Sequence, residues 1–201
     1  MKNGRRSRFG VLSLVLGFLA MLIFVVPTIA AAEQWTGNVN FSLGQKYLSS
    51  SDWASVDDQT SVGAEVTWGK KDWPIQIATD LLGSTQEKTS SGVKVEGNTS
   101  ELGLGIRKVW DIEKVHPYLG GGVAFISGEG KVSSSGLSAK DNDSSAGEWV
   151  GGGIYWRLGN RFNLGADARY SRAKVNFFGT DVEAGGTQAG VTFGWGWPAA
   201  R

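Results

Sequence analysis

The stretch Gly186-Thr187-Gln188-Ala189-Gly190-Val191-Thr192-Phe193-Gly194-Trp195-Gly196-Trp197 alternates between two incompatible surfaces without an error. Side chains on a strand change face at every residue. Thr187, Ala189, Val191, Phe193, Trp195 and Trp197 therefore share one face, and Gln188, Gly190, Thr192, Gly194 and Gly196 share the other. The first face suits hydrocarbon; the second is small and polar. A core strand of a water-soluble protein seldom sets Phe and two Trp against three Gly in this way, whereas a lipid-facing barrel strand does.

Seven earlier segments repeat the pattern, at 35–47, 61–68, 73–81, 101–110, 117–125, 149–158 and 162–171. The reading is all-β: an eight-stranded antiparallel up-and-down transmembrane β-barrel. The intervening connections are long after the first, third, fifth and seventh strands (48–60, 83–99, 128–146 and the segment through Phe178 and Asp181) and short after the second, fourth and sixth. Outer-membrane barrels carry long loops outside the cell and short turns in the periplasm, so both ends of the barrel chain are expected in the periplasm. Trp35, Trp68, Trp73, Trp110, Trp156 and Trp197 all fall at the short-turn ends and all on the apolar face. They read as an aromatic girdle, in which an indole lies at headgroup depth with its N–H wet. Tyr47, Phe125 and Tyr170 are the candidates for a thinner girdle at the opposite rim. A soluble lipocalin-like barrel is the rival fold, with its large apolar residues inside around a ligand; the girdle and the small residues on the other face argue against it.

Before the first strand come the basic residues Lys2, Arg5, Arg6 and Arg8, an apolar run, and then Ala30, Ala31 and Ala32. This order spells a secretory signal peptide. The expected organisation is a cleaved leader over 1–32, an alternative cut after Ala30, and a barrel domain over 33–201. An uncleaved anchor is the competing reading of the apolar run. Removing the four basic residues changes the formal charge from +1 to −3, which leaves no basic patch of the kind that binds nucleic acid. With no Cys and one His, neither thiol chemistry nor a zinc framework is expected, and no metal or cofactor is implied.

The polar faces of the strands carry Lys46, Arg107, Arg157 and Arg169 against Glu65, Asp80, Glu101 and Asp167. Matching of sign is what a narrow lumen requires, since an eight-stranded barrel is only wide enough for side chains to fill and charges removed from water must be paired. Asp167 and Arg169 are neighbours on one face, with Arg157 on the preceding strand, and this trio is the expected cluster. Trp53, Phe177 and Phe178 are apolar residues in polar loops; contact with a partner, contact with lipopolysaccharide and simple loop packing are the three readings of them.

His116-Pro117-Tyr118-Leu119-Gly120-Gly121-Gly122-Val123-Ala124, Leu164-Gly165-Ala166-Asp167-Ala168-Arg169-Tyr170 and the closing aromatic strand resemble the small outer-membrane β-barrel proteins related to OmpA, OmpX and OmpW. The resemblance departs at Pro198-Ala199-Ala200-Arg201, which follow the last aromatic. It implies a Gram-negative outer-membrane location, insertion by the barrel-assembly machinery, surrounding lipid and lipopolysaccharide, and a monomer. It further implies a structural or surface-interaction role through the outer loops, with an OmpW-like conduit for small hydrophobic molecules as the alternative; Tyr118, Trp149 and Tyr155 are the candidate lumen lining for that conduit. Barrel lipases and acyltransferases need a nucleophilic Ser with a His at the outer face. The one His, His116, lies at the opposite end, followed at i+2 by Tyr118, so no catalytic residue is expected. The protein purified from the envelope should have the mass of a chain beginning at Glu33; a full-length mass would contradict the leader.

Overall fold

The computed structural model describes residues 35–49, 51–177 and 179–197. The leader, Phe178 and the tail after Trp197 lie outside the described residues. Ten strands and no helix occur among those described: β1 (Trp35–Tyr47), β2 (Asp58–Lys70), β3 (Gln76–Ser90), β4 (Val93–Val109), β5 (Val115–Ser134), β6 (Leu137–Leu158), β7 (Phe162–Arg172), β8 (Lys174–Phe177), β9 (Thr180–Glu183) and β10 (Gly186–Trp197). Eight of them close into a ring in the order β1-β10-β7-β6-β5-β4-β3-β2, and β8 and β9 form a separate hairpin. Every neighbouring pair is antiparallel, and the ring shuts where β1 meets β10, from Gly37 opposite Trp197 to Tyr47 opposite Thr187.

The faces fall as the alternation requires. Along β10, Val191 and Trp195 are exposed while Gln188 and Thr192 are buried. Around the ring, Leu43, Val62, Leu104, Ile106, Leu119, Val123, Val150 and Leu164 are also exposed, and Glu65, Asp80, Glu101, Arg107 and Arg169 are buried. A water-soluble barrel has the opposite disposition. Turning its apolar side chains outward is stabilising only in hydrocarbon, and the closed ring leaves no unpaired strand edge there.

The strands differ from the sequence reading at their outer ends. The segments 83–99 and 128–146, expected as loops, are hydrogen-bonded ladders that prolong β3, β4, β5 and β6, with rungs up to Ser90 opposite Val93 and Ser134 opposite Leu137. Two-residue turns close both hairpins, Ser91-Gly92 with φ of 50° and 79° and Ser135-Gly136 with φ of 48° and 86°. Positive φ at both central positions is the type I′ geometry whose twist matches the flanking strands. A membrane-spanning strand needs roughly 9–11 residues, whereas β5 has 20 and β6 has 22. A four-stranded curved sheet therefore projects beyond the rim, its β5–β6 hairpin by about 30 Å along the strands. Its outward face is laced with ion pairs: Lys94 with Glu87 (2.9 Å) and Glu96 (2.6 Å), Lys131 with Glu96 (3.3 Å), and Lys140 with Glu129 (2.9 Å). At the other end β3 starts at Gln76, later than expected, because Trp73 closes a turn onto the Lys70 carbonyl (3.0 Å) and Pro74 has no N–H for a ladder.

The projecting sheet is held mainly by its own rungs, so the barrel should not need it. Shortening both hairpins at the Gln86 to Gly97 and Gly128 to Asp143 rungs, each closed by Asn-Gly, should preserve the difference in gel mobility between unboiled and boiled protein. Loss of that difference would make the extension part of the folding unit.

Candidate functional site in the barrel interior

Three layers of polar and apolar residues fill the lumen. In the middle layer Arg107 of β4 donates to Glu65 of β2 (3.2 Å) and to both oxygens of Asp80 of β3 (3.2 Å). Arg169 of β7 reaches Asp80 and Glu101 at 2.5 Å. β7 and β3 stand four places apart in the eight-membered ring, so the Arg169 to Asp80 bond crosses the lumen to the opposite wall. Ser171 donates to the second Glu101 oxygen at 2.8 Å. Lys46 lies 3.9 Å from the same oxygen and donates to Thr99 Oγ1 (3.0 Å) and to the Ala184 carbonyl (3.2 Å).

Aromatic rings wedge this layer. The Arg169 guanidinium lies 4.1 Å from the Trp149 ring centroid, and Arg107 stacks on Tyr118 at 4.9 Å, attractions that strengthen when water is excluded. Inward glycines make the room. A Cβ at Gly103 would come within 2.5 Å of Arg169, one at Gly105 within 2.9 Å of the Trp149 ring, and one at Gly153 within 2.8 Å of Tyr118. Sequence reading missed this complementarity, although Trp149 stands on the polar face of β6 opposite the glycines of β5, which is a legible signal.

The layer at the short-turn end is an asparagine ladder. Arg157 donates to Asn38 Oδ1 (2.6 Å) and Asn163 Oδ1 (3.1 Å); the Asn163 amide donates to Asn38 (2.9 Å) and Asn40 (3.1 Å). Asn38 in turn donates to the Tyr155 hydroxyl at 3.1 Å, and His116 stacks on Tyr155 with its Nδ1 2.8 Å from Asp111. The expected cluster of Asp167 with Arg169 and Arg157 is thus corrected. Among the described residues Asp167 forms no ion pair with either, and its Oδ1 has no hydrogen-bond partner. Neighbours two apart on a strand both point into the lumen about 7 Å apart, and the longer arginine side chains find partners on other walls.

The outer layer is apolar. Leu48, Trp53 and Val56 from the β1–β2 connection meet Val175 and Val182 of the β8–β9 hairpin, with Ile126 beneath them. Trp53 packs edge-on against Phe177 with centroids 5.6 Å apart and is only 5% exposed. Both residues thus pack within the loops. Asn176 N–H donates to Asp143 at 2.7 Å, tying the hairpin to β6 and holding that exposed carboxyl below the usual range.

On the outside, Trp73, Trp110 and Trp156 are exposed at the short-turn end, with Trp35 edge-on to Trp73 at 5.9 Å and Lys70 Nζ 6.0 Å from its ring. Trp35 and Trp68 are half-buried. Trp197 departs from the expected wet indole. Its ring lies across Gly37, it is 5% exposed and its Nε1 has no hydrogen-bond partner among the described residues. Tyr47, Phe125 and Tyr170 are exposed at the other rim.

A closed antiparallel ring with apolar residues outside, aromatic girdles and a charge-filled lumen defines a β-barrel of the outer-membrane class. Residues 16–195 match the family model described as outer membrane protein beta-barrel domain, and the chain belongs to that family. Among solved structures it is similar to Ail, the attachment invasion locus protein of Yersinia pestis, crystallised with the heparin analogue sucrose octasulfate (14% identity, 82% of this chain and 99% of that one, TM-score 0.59). It is also similar to Neisserial surface protein A (17%, 81% and 95%, 0.52) and to a major outer membrane protein from Thermus thermophilus (10%, 81% and 98%, 0.53). At these identities the likeness is one of fold. No curated protein sequence matches the chain.

Removing Arg169 leaves two buried carboxylates short of a partner, so Arg169→Met should lower the unfolding free energy by about 3 to 5 kcal/mol. Asp167→Asn should change it by less than about 1 kcal/mol, because no hydrogen bond to that oxygen is lost. Urea titrations followed by Trp fluorescence and gel mobility measure both; equal effects would contradict the assignment of partners.

Proposed function

We propose that the chain is a non-catalytic outer-membrane element, exported through its leader, that acts structurally and as an interaction surface through its extracellular extension. The observation that carries this reading is the filled lumen: Arg107, Arg169 and Lys46 meet Glu65, Asp80 and Glu101 across the interior, which leaves side chains where a channel needs water. What extends from the cell is then the four-stranded sheet of β3 to β6, and a rigid scaffold carrying exposed elements is a common platform for recognition. The surroundings proposed are outer-membrane lipid and lipopolysaccharide, with a monomeric barrel inserted by the assembly machinery and no nucleic-acid partner.

The absence of catalysis is part of this proposal. Its support is that His116, the one histidine, stacks on Tyr155 and bonds Asp111 at the short-turn end, with no serine or threonine hydroxyl among its bonding partners in the described residues. The conduit for small hydrophobic molecules calls for an apolar path through the barrel. Tyr118, Trp149 and Tyr155, the lining that reading needs, are engaged with Arg107, Arg169 and Asn38. The structural reading is therefore favoured.

Planar-bilayer recording of the purified barrel should give no steady large conductance, and a deletion strain should take up apolar solutes at the parental rate. A stable open pore, or uptake that falls on deletion, would move the conduit reading ahead.

A further inference from the structure

The outer end of the lumen is closed by chain that is not part of the wall. Leu48, Asp52, Trp53 and Val56 lie in the β1–β2 connection, and Val175, Phe177, Val182, Glu183 and Ala184 lie in or beside the β8–β9 hairpin. The two segments meet over Ile126, which is 1% exposed. They are fastened largely through one residue. Trp53 Nε1 donates to the Glu183 carbonyl at 2.8 Å, Glu183 N–H donates to Asp52 at 2.9 Å, and the Glu183 carboxylate accepts from the Ala173 N–H at 2.7 Å. Among the described residues the hairpin has no ladder to the barrel: β8 and β9 pair only with each other. Among the described residues its polar contacts with the wall are Lys46 Nζ to the Ala184 carbonyl (3.2 Å), Asn176 N–H to Asp143 (2.7 Å) and the ion pair of Glu183 with Arg172 at the end of β7 (3.8 Å).

We propose that these two segments form a plug, latched at Glu183 and Trp53, that closes the outer mouth above the charge network and can detach without unfolding the barrel. The physical basis is the contrast in fastening. The wall is continuous antiparallel ladder, while the plug rests on a few hydrogen bonds and one apolar contact layer, and segments held in this way open locally at far lower cost than the whole fold. Lys46 joins the two barriers, since the ammonium that holds the Ala184 carbonyl also faces Glu101. Release of the plug exposes a small apolar vestibule floored by Ile126 and Trp149 and leaves the middle layer shut.

The chain has no cysteine, so a single Ile126→Cys reports access to the vestibule. On intact cells, a membrane-impermeant thiol reagent should label Ile126→Cys slowly compared with a reference Asn142→Cys on the exposed face of β6. Adding Trp53→Ala and Glu183→Ala removes the Trp53 Nε1 bond to the Glu183 carbonyl and the Ala173 N–H bond to the Glu183 carboxylate, and should raise the Ile126→Cys rate by about tenfold or more, the effect of losing two hydrogen bonds of which one is to a charged group, while bilayer conductance stays low. Labelling of Ile126→Cys at the reference rate without the latch changes would overturn the plug, and unchanged slow labelling with them would overturn the latch. Retained heat-modifiable mobility shows that the barrel is folded; where the double change abolishes it, Asp52→Asn and Phe177→Ala carry the same comparison.

Discussion

The constraint on which the molecule depends is the width of its lumen. Eight tilted strands enclose a space that side chains fill and bulk water does not, so every second residue of every strand must find a place in a dry cylinder. Large side chains find room there over glycines: Arg169 over Gly103, Trp149 over Gly105 and Gly120, Tyr118 over Gly153. Charge fits only where it is paired. The bonds of Arg169 to Asp80 and Glu101 and of Arg107 to Glu65 and Asp80 answer both demands, since each guanidinium covers an aromatic face while its N–H groups bridge carboxylates on different strands.

The two ends of the cylinder solve the same problem with different chemistry. At the short-turn end asparagines bond one another and Arg157, a network of neutral amides around one guanidinium. At the outer end apolar side chains from the connections fold inward and exclude water instead. The difference follows from the chain path. Turns at the periplasmic end are too short to fold back, whereas the β1–β2 and β7–β10 connections have the length to cover the mouth. The two hairpins of β3 to β6 take the remaining outer length and spend it on ladder, which turns what reads as loop into a rigid sheet.

The ring, its alternation and its inside and outside were legible because a period of two is stated afresh in each strand. Val191 and Trp195 against Gln188 and Thr192 is enough to orient β10. The outer halves of β3 to β6 were not legible by the same test, since both their faces are polar and no apolar stripe marks the period; the signal that remained was Ser-Ser-Gly followed by an apolar residue at Ser90 to Val93 and again at Ser134 to Leu137, a turn dipeptide in a repeated setting. The charged positions inside were legible from parity, but their partners were not. Arg169 bonds a residue on the opposite wall, and which rungs face one another across the lumen depends on strand tilt and stagger, quantities that no local stretch encodes. Asp167, two residues from Arg169, is the instance: adjacency along the strand suggested a pair, and distance across the lumen decided otherwise.

The cross-lumen bridge of Arg169, more than any contact along a strand, holds the interior together. A double-mutant cycle between Arg169→Met and Asp80→Asn, read by urea unfolding in bilayers, measures that bridge directly. Residues sharing one buried network show interaction energies of roughly 0.5 to 3 kcal/mol, and this pair should fall at the upper end, with the double variant more stable than the sum of the single losses predicts. A cycle that closes to within about 0.3 kcal/mol, the behaviour of independent sites, would contradict the bridge and return the interior to a set of separately solvated charges.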